Sequence, residues 1–341
     1  MSVLVTGATG FIALHLVKDL LNENYKVIGT VRSIEKGDNL KAQFDNNPLL
    51  TTVVVKDIAA VSAFDEVFEQ HKEQIKIVLH TASPFHFKTT DYEKDLLIPA
   101  IHGTKSILES IKKYGAQTVE RVVITSSIAA VKDTARFAEA DFVYNEDAWN
   151  PVTWEGSTVN APDAYRGSKK FAEKAAWDFL EENRDVVKFQ LTTVCPSLIF
   201  GPQAFAASAA GQLNTSSEVI NSFLHAGPEA DLSGLKNDFV DVRDVSKAHL
   251  IAFQSKSATG QRLGVNSGQF NSKDLSEILS QNFPQLKGKL PKTTDEGANK
   301  TEPYAKFDTS KTKKILGFEF INLEKSVCDT AKQILDAEKS L

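Results

Sequence analysis

The sequence predicts an α/β fold: a doubly wound parallel sheet with a smaller α/β lobe assembled from C-terminal segments. Three observations predict it. Short β-rich apolar runs alternate with helical patterns through the first half, as βαβ units require. A glycine turn, Gly7-Ala8-Thr9-Gly10, separates the first apolar run from the first helical pattern. After Pro196 the texture changes, and Gly and Pro break up any long regular element.

The strands expected in order are Val3–Val5, Lys26–Val31, Thr52–Val55, Ile77–His80, Arg121–Thr125 and Gln190–Val194. Each is nearly all apolar, as strands covered by helices on both faces should be. Helices are expected to begin near Phe11, Ile34, Phe64 and Leu96, with another over Ala164–Glu182. Beyond Pro196, helices are expected near Ser217–His225, Arg243–Gln254, Lys273–Gln281 and Leu323–Glu338, and Gly288–Pro303 reads as a loop. The division expected is a dinucleotide-binding domain over 1–200, with segments 239–263 returning to it. Segments 201–238 and 264–341 would then form the second lobe.

Composition narrows the function classes. With 341 residues, 42% hydrophobic and 24% charged, the chain is long enough for a large core and has an ordinary globular balance. A net charge of −5 without a basic cluster argues against a nucleic-acid partner. No run approaches the roughly 20 apolar residues of a spanning helix, so no membrane partner is expected. Met1-Ser2-Val3-Leu4-Val5 enters a strand directly, leaving no room for a signal peptide. Cys195 and Cys328 have no metal-ligand spacing, so no metal is expected, and two free thiols suit a cytoplasmic chain. Monomer and homodimer are both compatible with the sequence.

The turn Thr6-Gly7-Ala8-Thr9-Gly10-Phe11-Ile12-Ala13 lies between strand and helix, where a dinucleotide pyrophosphate binds in a Rossmann fold. Glycines let the backbone approach the anion, and the helix starting at Phe11 aims unpaired N–H groups and its positive end at it. The spacing is GxxGxxA, and the bland alternative is a tight structural turn. The second strand ends in Val31-Arg32-Ser33, with Lys36 one turn on, where an NAD site would carry an acid. Arg32 can hold a 2′-phosphate with a forked pair and Lys36 can add charge, so NADPH/NADP+ is expected over NADH. The alternative is a solvated basic strand end. Asp57-Ile58 follows the third strand; its carboxylate could accept from an adenine amino group or cap the next helix.

Tyr165 and Lys169 stand four residues apart in a helical stretch and share a face. A phenol, with an ordinary pKa of about 10, gives up its proton more readily beside an ammonium that stabilises the phenolate. The pair therefore suits proton delivery to a carbonyl oxygen receiving hydride, and Lys169 can also reach ribose hydroxyls. Ser127, just after Val122-Val123-Ile124-Thr125, falls at the carboxyl edge of the sheet, where a hydroxyl can hold that oxygen. Singly, these are a snorkelling lysine, a helical tyrosine and a capping serine; behind a dinucleotide turn they form a catalytic set. His80, His86, His102 and His249 lack a paired nucleophile or acid and read as structural.

With these residues the chain resembles the extended short-chain dehydrogenases/reductases along essentially its whole length. His80-Thr81-Ala82-Ser83-Pro84, Phe200-Gly201-Pro202 and Asp238-Phe239-Val240-Asp241-Val242-Arg243-Asp244-Val245 are similar to the dihydroflavonol reductase and cinnamoyl-CoA reductase branch. The resemblance implies that Gly7, Ala8, Thr9, Gly10, Phe11 and Ile12 hold the pyrophosphate, Arg32 and Lys36 the 2′-phosphate, and Asp57 with Ile58 the adenine. It implies that Pro196 and Ile199 contact the nicotinamide half and Ser216 a phosphate oxygen, with Ser127, Tyr165 and Lys169 catalytic. Many extended members carry an Asn before Gly-Thr in a helix motif; here the segment is Ala100-Ile101-His102-Gly103-Thr104. Ile128 and Lys132 stand where bulkier aromatic groups are expected near the pocket.

The function expected is NADPH-dependent reduction of aldehydes and ketones to alcohols, with Tyr165 as proton donor. A pocket of Phe85, Ile128, Leu198 and residues from Ala204 through Phe223 would suit hydrocarbon-bodied carbonyls such as methylglyoxal, 3-methylbutanal and keto esters. The rivals are a nucleotide-sugar epimerase or dehydratase of the same fold and a non-catalytic NADP-sensing regulator. Arg32 opposes the first, and the joint presence of Ser127, Tyr165 and Lys169 opposes the second.

Overall fold

The computed structural model describes residues 1–83, 89–293 and 304–339. Pro84, Phe85, His86 and the stretch of the expected loop from 294 to 303 lie outside the described residues. The strands are β1 (Ser2–Thr6), β2 (Lys26–Val31), β3 (Leu50–Val54), β4 (Ile75–His80), β5 (Arg121–Thr125), β6 (Val143–Tyr144), β7 (Gln190–Pro196), β8 (Leu198–Phe200), β9 (Lys236–Asp241), β10 (Arg262–Val265), β11 (Gly268–Asn271) and β12 (Lys306–Phe307). The helices are α1 (Phe11–Asn22), α2 (Ile34–Gln43), α3 (Asp65–His71), α4 (Ile98–Ser110), α5 (Ala161–Glu182), α6 (Thr215–His225), α7 (Val242–Gln254), α8 (Ser272–Asn282), α9 (Ser310–Leu316) and α10 (Leu323–Glu338).

Seven parallel strands form the large sheet in the order β10-β7-β5-β4-β1-β2-β3. The strand period of two sorts its residues onto two faces. Val3 and Val5 point to one face, against Leu16, Val17 and Leu20 of α1 and Val245, Ala248 and Ala252 of α7. Leu4 points to the other, against Phe68 of α3, Ile107 and Leu108 of α4 and Phe179 of α5. All are essentially out of water, and each large side chain so buried contributes about 1.5–3 kcal/mol. That double cover explains why the strands read as unbroken apolar runs.

Because β4 pairs with β1 on the side opposite β2, the order reverses between β1 and β4. Such a switch leaves a crevice beyond the carboxyl ends of the strands, the general ligand position of open α/β sheets. A second sheet, β11-β9-β8, carries α6, α8 and α10 around Phe200, Phe239 and Phe270. A short pair, β12 with β6, closes over Tyr144 and Phe307.

The six expected strands form with their ends shifted by no more than two residues; the third, expected over Thr52–Val55, runs Leu50–Val54. A seventh, Arg262–Val265, joins the large sheet through parallel pairing with β7. It is four residues long and contains Arg and Gly, so apolar periodicity could not reveal it. The helix expected from Phe64 begins at Asp65, and the one expected from Ala164 begins at Ala161, where Asn160 accepts from the Asp163 amide.

Candidate active site

The candidate residues come from different strands but gather at one edge. Gly7 follows β1, Arg32 follows β2, Asp57 lies past β3, Thr81 and Ala82 follow β4, Ser127 lies past β5 and Pro196 ends β7. At the crevice itself Gly7 has φ +66°, and a Cβ on it would stand 3.1 Å from the Ala82 Cβ. Glycine is required there for both the conformation and the close approach. The turn is fixed from below: Gly7 N donates to Thr30 Oγ1 at 3.1 Å, Ala8 N to Thr30 O at 2.9 Å, and Gly10 N to Gly7 O at 2.9 Å. Helix α1 then begins at Phe11 with no side-chain cap, leaving its first-turn N–H groups to an anion.

The ends of β1 and β4 are tied by Thr6. Its hydroxyl oxygen accepts from Thr81 N and Ala82 N, each at 3.1 Å. Its O–H is therefore the donor to His80 Nδ1 at 2.9 Å, which puts the imidazole proton on Nε2. Complete burial, with the Lys169 ammonium adding to it, holds His80 neutral down to a pKa of about 3. His249 is likewise buried, donating to Val245 O at 2.8 Å and accepting from Thr125 Oγ1 at 2.7 Å. These histidines fix strand ends.

Arg32 and Lys36 are exposed, and neither forms an ion pair with any described residue. Ser33 caps α2 by accepting from Lys36 N at 3.3 Å, which turns the chain so that both cations follow the end of β2. Asp57 does not cap a helix. The next helix starts eight positions later, and the carboxylate instead closes a local turn by accepting from Ala59 N at 2.9 Å. Ile58 packs over Gly103 of α4, where a Cβ would meet its side chain at 3.1 Å.

Helix α5 brings Tyr165 and Lys169, both half-buried, to the same edge. The Lys169 Nζ stands 5.9 Å from the Tyr165 ring centroid. The helix packs against the short turn Ile128–Ala130 that follows Ser127. Gly167, between the pair, permits a second close approach: a Cβ there would fall 2.0 Å from Ser157 Oγ. Ser127 is buried, and its Oγ accepts from Ala129 N at 3.1 Å, which leaves the hydroxyl proton available to a ligand oxygen.

Ile199 lies on β8 of the second sheet and Ser216 on α6, which packs on that sheet. Ser216 is buried, donating to Ile199 O and accepting from Asn214 Nδ2 at 2.8 Å, so a phosphate contact would need the first bond released. The expected apolar pocket is altered. Ile128 packs with Val131, Tyr144, Cys195 and Phe307, and Ala204 and Phe223 are buried in cores. Phe205 meets Phe44 edge-on at 4.9 Å. Apolar residues nominated by composition thus mostly fill cores. Phe85 lies outside the described residues.

Lys132 is buried rather than pocket-lining. It pairs with Asp238 of β9, with the Phe137 ring centroid 4.9 Å from its Nζ and Tyr144 and Tyr304 also close. Sequence reasoning also passed over Glu173, on the Tyr165–Lys169 helix itself, and Arg262 of β10, which form a buried ion pair at 2.7 Å. The four-residue spacing that picked out Lys169 from Tyr165 would have reached Glu173 at the next step. Among the described residues no group of three or more His, Cys, Asp or Glu could hold a metal.

A glycine turn at the switch point, a tyrosine–lysine helix and a serine thus stand at one edge of a doubly wound α/β sheet. The chain belongs to the NAD dependent epimerase/dehydratase family, whose model matches residues 3–268. It is 54% identical to the NADPH-dependent methylglyoxal reductase of Saccharomyces cerevisiae, over 99% of both chains. It is 39% identical to a ketoreductase of Aspergillus niger, over 98% of this chain and 97% of that one. A crystal structure of the yeast methylglyoxal/isovaleraldehyde reductase complexed with NADPH superposes with TM-score 0.96 at 53% identity, covering both chains fully.

Proposed function

We propose that this protein is an NADPH-dependent carbonyl reductase that converts aldehydes and ketones to alcohols. The observation that carries the reading is the meeting, at one sheet edge, of the Gly7 turn, Ser127 and the Tyr165–Lys169 face of α5. Near-full-length similarity to reductases named for NADPH supports it. It also weighs against the epimerase alternative.

The residues present fit the dinucleotide. The missing Cβ at Gly7 and the uncapped start of α1 suit a pyrophosphate held by Gly7 through Ile12, and the unpaired Arg32 and Lys36 suit a 2′-phosphate. Asp57 and Ile58 would border the adenine, and Pro196 and Ile199 the nicotinamide half. When bound, NADPH supplies the hydride. Ser127 donates its free hydroxyl proton to the carbonyl oxygen and fixes its place. The Tyr165 phenol delivers a proton to the same oxygen, and the Lys169 ammonium stabilises the phenolate left behind. Two free thiols, Cys195 and Cys328, are compatible with a cytoplasmic setting. No helix among the described residues is long and apolar enough to cross a membrane.

The test is NADPH consumption by the purified chain across methylglyoxal, 3-methylbutanal, aryl ketones and keto esters, with NADH in parallel. Turnover of at least one carbonyl, faster with NADPH, is expected. Silence across the panel refutes the reading, and equal efficiency with NADH refutes the cofactor assignment.

A further inference from the structure

Behind the Tyr165–Lys169 pair, one turn further along α5, stands Glu173. The positions Tyr165, Lys169 and Glu173 are spaced i, i+4, i+8 and so share a face of the helix. The Glu173 side chain is about 1% exposed and receives donors from five residues, the weakest being the Cys195 thiol at 3.8 Å. Ser126 Oγ donates at 2.6 Å, Thr193 Oγ1 at 2.8 Å, and Trp177 Nε1 at 3.3 Å. Arg262 donates through Nε at 2.7 Å and through Nη2 at 3.2 Å. Arg262 is itself fixed: its Nη1 donates to Glu146 O and Ala148 O, and its guanidinium lies 3.7 Å from the Trp149 ring centroid.

We infer that Glu173 is a positioning residue for the reaction, setting Ser127 against the Tyr165–Lys169 face through its bond to Ser126. The inference rests on the catalytic reading of Ser127 and Tyr165 given above. Ser126 is the chain neighbour of Ser127, and its side-chain hydroxyl donates to Glu173. Its backbone N–H donates to Val194 O at 2.8 Å, so the side-chain bond adds a second restraint, directed at α5. A buried carboxylate is a poor choice if packing alone is wanted, because desolvating an ion pair offsets most of its attraction. It differs from an apolar side chain in satisfying its donors in only one arrangement. Strand β5, strand β7, strand β10 and helix α5 therefore meet at a single register. Proton transfer to a carbonyl is sensitive to such register, since a misplacement of about 1 Å can cost roughly 10²-fold in rate.

A kinetic double-mutant cycle on the full chain with NADPH and a carbonyl from the panel tests this. The cycle joins Ser126→Ala and Ser127→Ala. Ser126→Ala leaves the Glu173–Arg262 pair intact and is expected to fold. It should lower kcat by about 5- to 20-fold with KM nearly unchanged, yet by less than about twofold once Ser127 is already Ala. Glu173→Gln should lower kcat further without weakening NADPH binding. Independent, multiplicative losses from Ser126→Ala and Ser127→Ala overturn the inference, as does a normal kcat in Ser126→Ala. If Ser127→Ala alone is fully active, the catalytic reading fails instead. Should Glu173→Gln not fold, the serine cycle still decides.

Discussion

Arg32 shows how much one residue can decide. It follows β2, it is exposed, and no described carboxylate neutralises it, so its charge is available to a 2′-phosphate. Charge-assisted hydrogen bonds of this kind are worth about 1.5–3 kcal/mol, roughly a 10- to 100-fold effect. Arg32→Ala should therefore raise KM for NADPH by about that factor, leave KM for NADH nearly unchanged, and alter kcat little. Steady-state kinetics with both cofactors checks this; an unchanged NADPH preference would remove Arg32 from the site. At this scale the sequence was informative wherever a backbone need or a short spacing selects a residue type. Gly7 needs a positive φ, and Lys169 is one turn from Tyr165. It was uninformative for Ser216 and Lys132, whose partners Ile199 and Asp238 come from other elements and are decided only by folding.

Elements carry the acid sensitivity. His249 on α7 accepts from Thr125 at the end of β5, and burial lowers its pKa to about 4; His80 at the end of β4 is held at about 3. Both are neutral in either state above their unfolded value of about 6.5. As pH falls below that, the unfolded chain takes up protons that the folded chain refuses. Each histidine then withdraws about 1.4 kcal/mol of stability per pH unit until its folded pKa is reached. Asp244 acts oppositely: burial raises its carboxyl to about 6, so stability grows as pH falls from there toward its unfolded value. It offsets one histidine. Urea unfolding at pH 6.5 and 4.5 should show wild type losing about 2–3 kcal/mol more than His249→Gln. Equal losses would mean that His249 is not held neutral. The long elements were legible because period and cover agree: the inner strands of the large sheet are nearly all apolar, and α10 starts behind Asn322, whose side chain accepts from Lys325 N. Strands β6, β8, β10, β11 and β12 have two to four residues each, too few for a period to register.

For the whole molecule, the β8–β9–β11 sheet is joined to the large sheet by buried polar contacts as well as by apolar cores. Lys132, five residues past Ser127, pairs with Asp238 of β9, whose side chain is fully buried. Removing one member of a buried pair strands the other charge, so Lys132→Met should cost about 3–5 kcal/mol. The double variant Lys132→Met/Asp238→Leu should recover most of that. Chemical denaturation of the single and double variants checks it; a double variant as unstable as Lys132→Met would show that the pair does not carry the cost. The general plan, a doubly wound sheet, was readable because its first half is made of repeated βαβ units. The joints between the lobes were not, since they depend on contacts separated by more than a hundred residues, such as Lys132 with Asp238.

The proposed reaction turns on a single proton donor, Tyr165. Replacing Tyr165 by Phe removes that proton and little else, and kcat measured on the best carbonyl of the panel, alongside NADPH affinity, reports on it most directly. The expected result is a loss of about 10²- to 10⁴-fold in kcat with NADPH affinity within about twofold of wild type. A Tyr165→Phe enzyme that binds NADPH and reduces carbonyls at close to the wild-type rate would contradict the account.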